Sequence, residues 1–187
     1  MATQHGAIAP ARNLWQLDPN HTQVEFAVKH MMVTTVKSYF KDVRGTILFD
    51  EADPSSSSLE AEIATASLHS GIDLRDQHVK GPQFLDVANH PAITFKSTRV
   101  ELLDSTHANV FGNLTIRGIT HEVTLETELM GRVKGPSGQD VIGFEARTQV
   151  NRHDFGMTLS TLMETGGVVA GDIVKIEIAA EAHKLSV

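Results

Sequence analysis

The run from His107 to Gly131, HANVFGNLTIRGITHEVTLETELMG, constrains this chain more than any other stretch. Arg117-Gly118 marks a reversal. Beyond it Ile119, His121, Val123, Leu125, Thr127 and Leu129 alternate with Thr120, Glu122, Thr124, Glu126, Glu128 and Met130. Alternation this long, mostly apolar on one side and charged or hydroxylated on the other, marks a strand with one face in water and one in a hydrophobic interior. On a helix the same residues would scatter around the circumference. Two adjacent strands are therefore predicted here, and the question becomes what their apolar face encloses.

The same period recurs along the chain. Val24, Phe26, Val28 and His30 alternate with Gln23, Glu25, Ala27 and Lys29, as do Leu59, Ala61, Ile63 and Thr65 with Glu60, Glu62 and Ala64. Ile93, Phe95 and Ser97 lead on through Val100 and Leu102, and the set Ile142, Phe144, Ala146, Thr148, Val150 is matched by Val174, Ile176, Ile178, Ala180, Ala182. Trp15 to Leu17 opens a short strand before the turn chemistry of Asp18-Pro19-Asn20. Met31 to Phe40 is apolar without a clean period and reads as a loop with a short helix or strand. Only from Gly71 to Phe84 does the pattern suggest a helix, over about residues 72–80, ending before Gly81-Pro82. Residues 1–13 read as a flexible tail and 14–187 as a single domain, for which 187 residues suffice.

The sum is an all-β chain of about eight antiparallel strands joined mostly by hairpin-length turns, and closure into a barrel would remove both unpaired edges. An open two-sheet sandwich is the competing architecture. A barrel of about eight strands is either just filled by side chains or just wide enough for one slender ligand. On the predicted inward face Ala61, Gly112, Ala146, Thr148, Ala180 and Ala182 are small, which favours a cavity over a packed core. Its lining would be Val24, Phe26, Val28, Ile93, Phe95, Leu114, Ile116, Val123, Leu125, Phe144, Ile176 and Ile178. Such a tube selects a long hydrocarbon over a sugar or nucleotide, whose polar atoms would be buried unpaired. Burial of each CH₂ is worth roughly 0.8 kcal/mol, so retention of an isoprenoid or acyl tail is easy and release is the harder step.

A formal charge of -7, from 23 acidic and 16 basic side chains, argues against a nucleic-acid partner. The absence of cysteine removes disulfides and thiolate metal sites. The opening residues carry neither a basic start nor an apolar stretch of signal-peptide length, and no apolar run approaches about 18 residues, so a cytoplasmic protein that does not span a membrane is expected.

Four stretches, WQLDPNHTQVEFAVKHMMV, RDQHVKGPQFLDVANHPAITFKST, GNLTIRGITHEVTLE and RHDFGM, in this order, closely resemble the YceI-like, polyisoprenoid-binding family from about Trp15 to Lys184. The resemblance implies a lipocalin-like barrel whose long apolar pocket holds a polyprenyl chain, a quinone or a related amphiphile, and it implies a homodimer. Many members of that family carry an export signal, which this chain's opening does not resemble. Ser38 stands where the family commonly has Gly.

The ten histidines show no H-x-H or H-x-x-x-H spacing, so they are expected to serve as hydrogen-bonding partners at the rim, with no metal bound. No G-x-S-x-G motif and no cysteine nucleophile points to catalysis. The expected protein is a non-enzymatic carrier without a cofactor. An enzyme acting on a lipid or quinone would need titratable groups converging inside the pocket, and a solid-core interaction domain would need no pocket. Phe40, Phe155 and Met157 join the expected ligand contacts, with the head group at a mouth near Arg152, His30 or His78. Leu159, Leu162, Met163 and the glycines after Met157 read as a soft gate.

Overall fold

Arg117 and Gly118 both adopt positive φ, 53° and 72°, in a two-residue turn whose twist matches that of the strands it joins. It links β8 (His107–Ile116) to β9 (Ile119–Lys134), and the two pair antiparallel from Ile116↔Ile119 to His107↔Glu128. The computed structural model describes residues 12–160 and 169–185.

The remaining strands are β1 (Arg12–Leu17), β2 (Gln23–His30), β3 (Thr34–Phe40), β4 (Val43–Asp50), β5 (Ser58–Ala64), β6 (Leu68–His69), β7 (Ala92–Leu102), β10 (Asp140–Asn151) and β11 (Ala170–Lys184). Neighbours run in the order β1-β4-β5-β7-β8-β9-β10-β11, and β11 returns to β1, so these strands form a closed antiparallel barrel rather than two stacked sheets. Closure rests on Trp15↔Lys184, Gln16↔His183 and Leu17↔Ala182. Backbone bonds from Asp18 N to Glu181 O and from Leu185 N to Leu14 O, each 2.8 Å, extend the seam. The farther half of β11 pairs instead with β2, which continues to β3 and β6 as a flap.

One open alternative is settled here and one expectation corrected. Of the readings left open for Met31 to Phe40, the strand holds for most of its length as β3, set off from β2 by Met31 and Met32 at φ 50° and 60°. Arg12 and Asn13, placed in the leading tail by the sequence, already belong to β1; residues 1–11 lie outside the described residues.

Bulges explain why the alternation changes phase. The pairing of β7 with β8 slips between Ser97 and Arg99, so Ile93 and Phe95 share an inward face with Val100 and Leu102. In the ladder between β9 and β10, Gly143 pairs with Gly131 but Phe144 with Leu129, which carries the inward face from Leu129 to Arg132. Gly112 is small for a local reason: a Cβ there would meet the Phe95 ring and lie 2.7 Å from Lys96 O.

The one α-helix among the described residues, α1 (Asp73–Lys80), matches the helical span expected from the sequence. Too short to persist alone, it is tied down by the buried Asp76 carboxylate, which accepts from Ser70 N at 2.8 Å and faces His69 Nδ1 at 3.4 Å. The chain after it is held by Arg117 Nη1, which donates to Phe84 O at 2.6 Å. The helix and this loop lie over the barrel end that carries the Arg117-Gly118 turn.

Candidate ligand-binding cavity

A cavity of about 780 Å³ runs through the barrel, within the range of about 300–1,000 Å³ usual for small-molecule sites. Its wall is built from inward residues of every ring strand together with β2 and β3. Of the residues expected to contact a ligand, all but Phe155 border it: Val24, Phe26, Val28, His30, Phe40, Ile93, Phe95, Leu114, Ile116, Val123, Leu125, Phe144, Arg152, Met157, Ile176 and Ile178. Phe155 is only 1% exposed but turns the other way, because Arg152–Phe155 form a 3-10 turn that Asn151 caps by accepting from His153 N. Its ring stands edge-on to His121 at 5.1 Å instead.

Small residues open the bore as anticipated at Ala61, Ala146, Thr148 and Ala180, which line it. Gly112 and Ala182 do not: the first makes room for Phe95, and the second is wholly buried in the seam opposite Leu17. Period-two reading missed the wall formed by Val79, Phe84 and Leu85, which belong to α1 and the loop after it. It also missed Val36 and Ser38 on β3; Ser38, 3% exposed, is a hydroxyl in an otherwise apolar face, opposite Phe26.

Solvent-exposed residues border the cavity at both ends. Lys29, His30 and His78, with Arg75, lie at the end covered by α1; Leu102, Asp104 and His107 lie at the other. Lys29, His30 and Arg75 make no ion pair with any described residue, while His78 packs on Phe84 with ring centres 5.0 Å apart. Toward the opposite end Arg132 sits 4.6 Å over the Phe49 ring and 3.3 Å from Glu51. The titratable groups of the wall therefore gather toward the ends. Among the described residues, none lines the middle of the bore.

Arg152 corrects the expected head-group contact. It is 3% exposed, and its donors are taken up by the protein: Nε by Gly171 O at 3.0 Å, Nη1 by Met157 O and Leu159 O at 2.5 and 2.8 Å, Nη2 by Asp172 Oδ1 at 3.1 Å. It ties the chain on either side of 161–168 to the end of β10. Leu162, Met163, Gly166 and Gly167 of the expected gate lie outside the described residues. Histidine–carboxylate pairs are frequent, as in His107–Asp104 at 3.0 Å and His153–Asp172 at 2.7 Å.

The hydrogen bond from His153, with the charges of His153 and Arg152 close by, holds the Asp172 carboxyl below its ordinary pKa. A carboxylate whose folded pKa is depressed stabilises the fold above its unfolded value and loses that contribution as pH falls through the folded one. Asp172→Asn is therefore expected to narrow the stability gap between pH 7 and pH 3, read from urea midpoints at each; an unchanged gap would count against the pairing.

A closed antiparallel barrel around a continuous apolar cavity defines the lipocalin-like class of ligand-enclosing proteins. Within that class the chain belongs to the YceI-like domain family, whose model matches residues 15–182. Protein YceI of Salmonella newport (strain SL254) is 38% identical over 138 residues, spanning 74% of this chain and 72% of that one. The crystal structure of a Campylobacter jejuni YCEI protein superposes with a TM-score of 0.72 at 29% identity, covering 84% of this chain and 90% of that chain. A polyisoprenoid binding domain from Saccharophagus degradans shares the fold at TM-score 0.68 and 13% identity, covering 91% and 98% of the two chains. No helix among the described residues is long and apolar enough to cross a membrane.

Proposed function

We propose that the protein binds and carries, or sequesters, a long-chain isoprenoid-like amphiphile such as a polyprenyl lipid or quinone, without transforming it. The observation that carries this reading is the cavity of about 780 Å³ with an almost wholly apolar wall and charged groups only toward its ends. At roughly 0.8 kcal/mol per buried CH₂, a ten-carbon tail gains about 8 kcal/mol, enough to offset much of the cost of association. The fold neighbour named for polyisoprenoid binding agrees with such a tail. Lys29, His30, Arg75 and His78 are the proposed head-group contacts, since Arg152 has no donor to spare.

Organic extraction of the purified protein followed by mass spectrometry is expected to release a prenyl lipid. A clean extract together with no binding of added prenyl quinone would remove the carrier reading. Chemical change in a labelled lipid during incubation would replace it with an enzymatic one. A homodimer and a cytoplasmic location belong to the same proposal; sedimentation velocity reads the first and cell fractionation the second.

A further inference from the structure

Outside the barrel wall, the seam that closes the ring assembles two histidines and two carboxylates from opposite ends of the sequence. Asp18 and His21 come from the turn between β1 and β2, and Glu181 and His183 from β11. Asp18 Oδ2 lies 2.7 Å from His21 Nδ1 and 2.9 Å from His183 Nε2. Glu181 Oε1 lies 3.9 and 3.7 Å from the same two nitrogens. Ligand atoms about 2.0–2.2 Å from a tetrahedral zinc ion stand about 3.3–3.5 Å apart, so the four observed separations bracket that value. Donor atoms of Asp18, His21 and Glu181 all lie within 4.8 Å of one another, whereas His183 stands outside that set and reaches it through Asp18 Oδ2.

We propose that Asp18, His21 and Glu181 hold zinc or a similar first-row divalent cation, with His183 orienting the Asp18 carboxylate and water completing the coordination, so that the ion fastens the β1–β2 turn to β11. The donor set suits such an ion: neutral imidazole binds zinc, copper, iron and nickel, and two carboxylates balance a double positive charge. The backbone that carries the ligands is already fixed. Asp18 N donates to Glu181 O at 2.8 Å, and the hydroxyl of the buried Thr22 donates to the same oxygen at 3.3 Å. Asp18 Oδ1 accepts from Asn20 N at 2.9 Å, which orients the carboxyl and leaves Oδ2 to face the histidines. Metal ligands are commonly oriented by such outer partners, each worth about 10–100-fold in affinity. His21 is the most open of the four, its side chain 64% exposed, and provides the route of entry, whereas Asp18 is 13% exposed. None of the four borders the lipid cavity, so this site is independent of the carrier function.

Spacing along the chain conceals the site. Asp18 and His21 stand three residues apart and Glu181 and His183 two, and only the closure of the barrel joins the pairs.

The test is titration of chelator-treated full-length protein with zinc chloride, by calorimetry and by thermal melting. One zinc per chain is expected, with a zinc-dependent rise in Tm. His21→Asn combined with His183→Asn is expected to abolish both, while His90→Asn, on the loop after α1, is expected to behave as the parent protein. Should the double variant fail to fold by circular dichroism, Glu181→Gln keeps the backbone contacts with Asp18 and Thr22 and is expected to bind zinc at least tenfold more weakly. Absence of saturable binding by the parent protein overturns the proposal. So does binding that survives unchanged in whichever variant folds, since the remaining histidines would then be holding the metal.

Discussion

Replacing Arg152 by Met is expected to lower the unfolding free energy by about 3–5 kcal/mol, the loss typical of breaking a buried, fully bonded charge network from one side. The substitution strands the carbonyl oxygens of Met157, Leu159 and Gly171, each now met by a guanidinium N–H, and leaves the Asp172 carboxylate with His153 alone. An unpaired buried acceptor costs about 1–3 kcal/mol unless water reaches it. Lysine should not rescue the variant, because one ammonium with three donors cannot reproduce a planar fork with five. Urea unfolding at neutral pH measures the effect, and a loss under about 1 kcal/mol for Arg152→Met would show that the network does not hold this end of the barrel.

The second large effect is expected inside the bore. Ala146 lies between Thr127 and Ile178 on neighbouring strands and borders the cavity, although the residue itself is 7% exposed. Ala146→Phe would fill space equivalent to roughly four methylenes of a bound tail, and at about 0.8 kcal/mol each this forfeits about 3 kcal/mol. Affinity for a long prenyl quinone should fall about a hundredfold, while the unfolding midpoint holds or rises because apolar surface now fills a void. A short-chain analogue that stops before position 146 should lose far less. Equal losses for long and short tails, read by fluorescence titration, would mean that the tail does not occupy this part of the barrel.

Much of this architecture was legible because water on one side and hydrocarbon on the other impose a period of two. Residues 119–129, 142–150 and 174–182 therefore revealed their strands, and 123–129, 144–150 and 174–180 their inward faces. Closure was less accessible: whether β1 meets β11 depends on Trp15 to Leu17 finding Ala182 to Lys184, and nothing local in either segment requires it. Site residues outside regular strands were harder still. Phe155 follows a strand in sequence, yet a 3-10 turn, ended by Gly156 at φ 73°, swings its ring away from the bore. Arg152 sits at the end of an inward-facing series and looked available to a ligand. Its partners lie between 5 and 20 residues further along, so its saturation shows only once the chain has folded back. Phe84 and Leu85 follow no strand period, and the loop that carries them is held by Arg117 from the turn after β8.

The seam between β1 and β11 also dictates an order of events during synthesis. Because the earliest described strand is latched by the last, the cylinder cannot shut until β11 has been made. Until then the growing sheet is a trough with its hydrocarbon-seeking side uncovered, and pairing partners so remote in sequence make the final step slow.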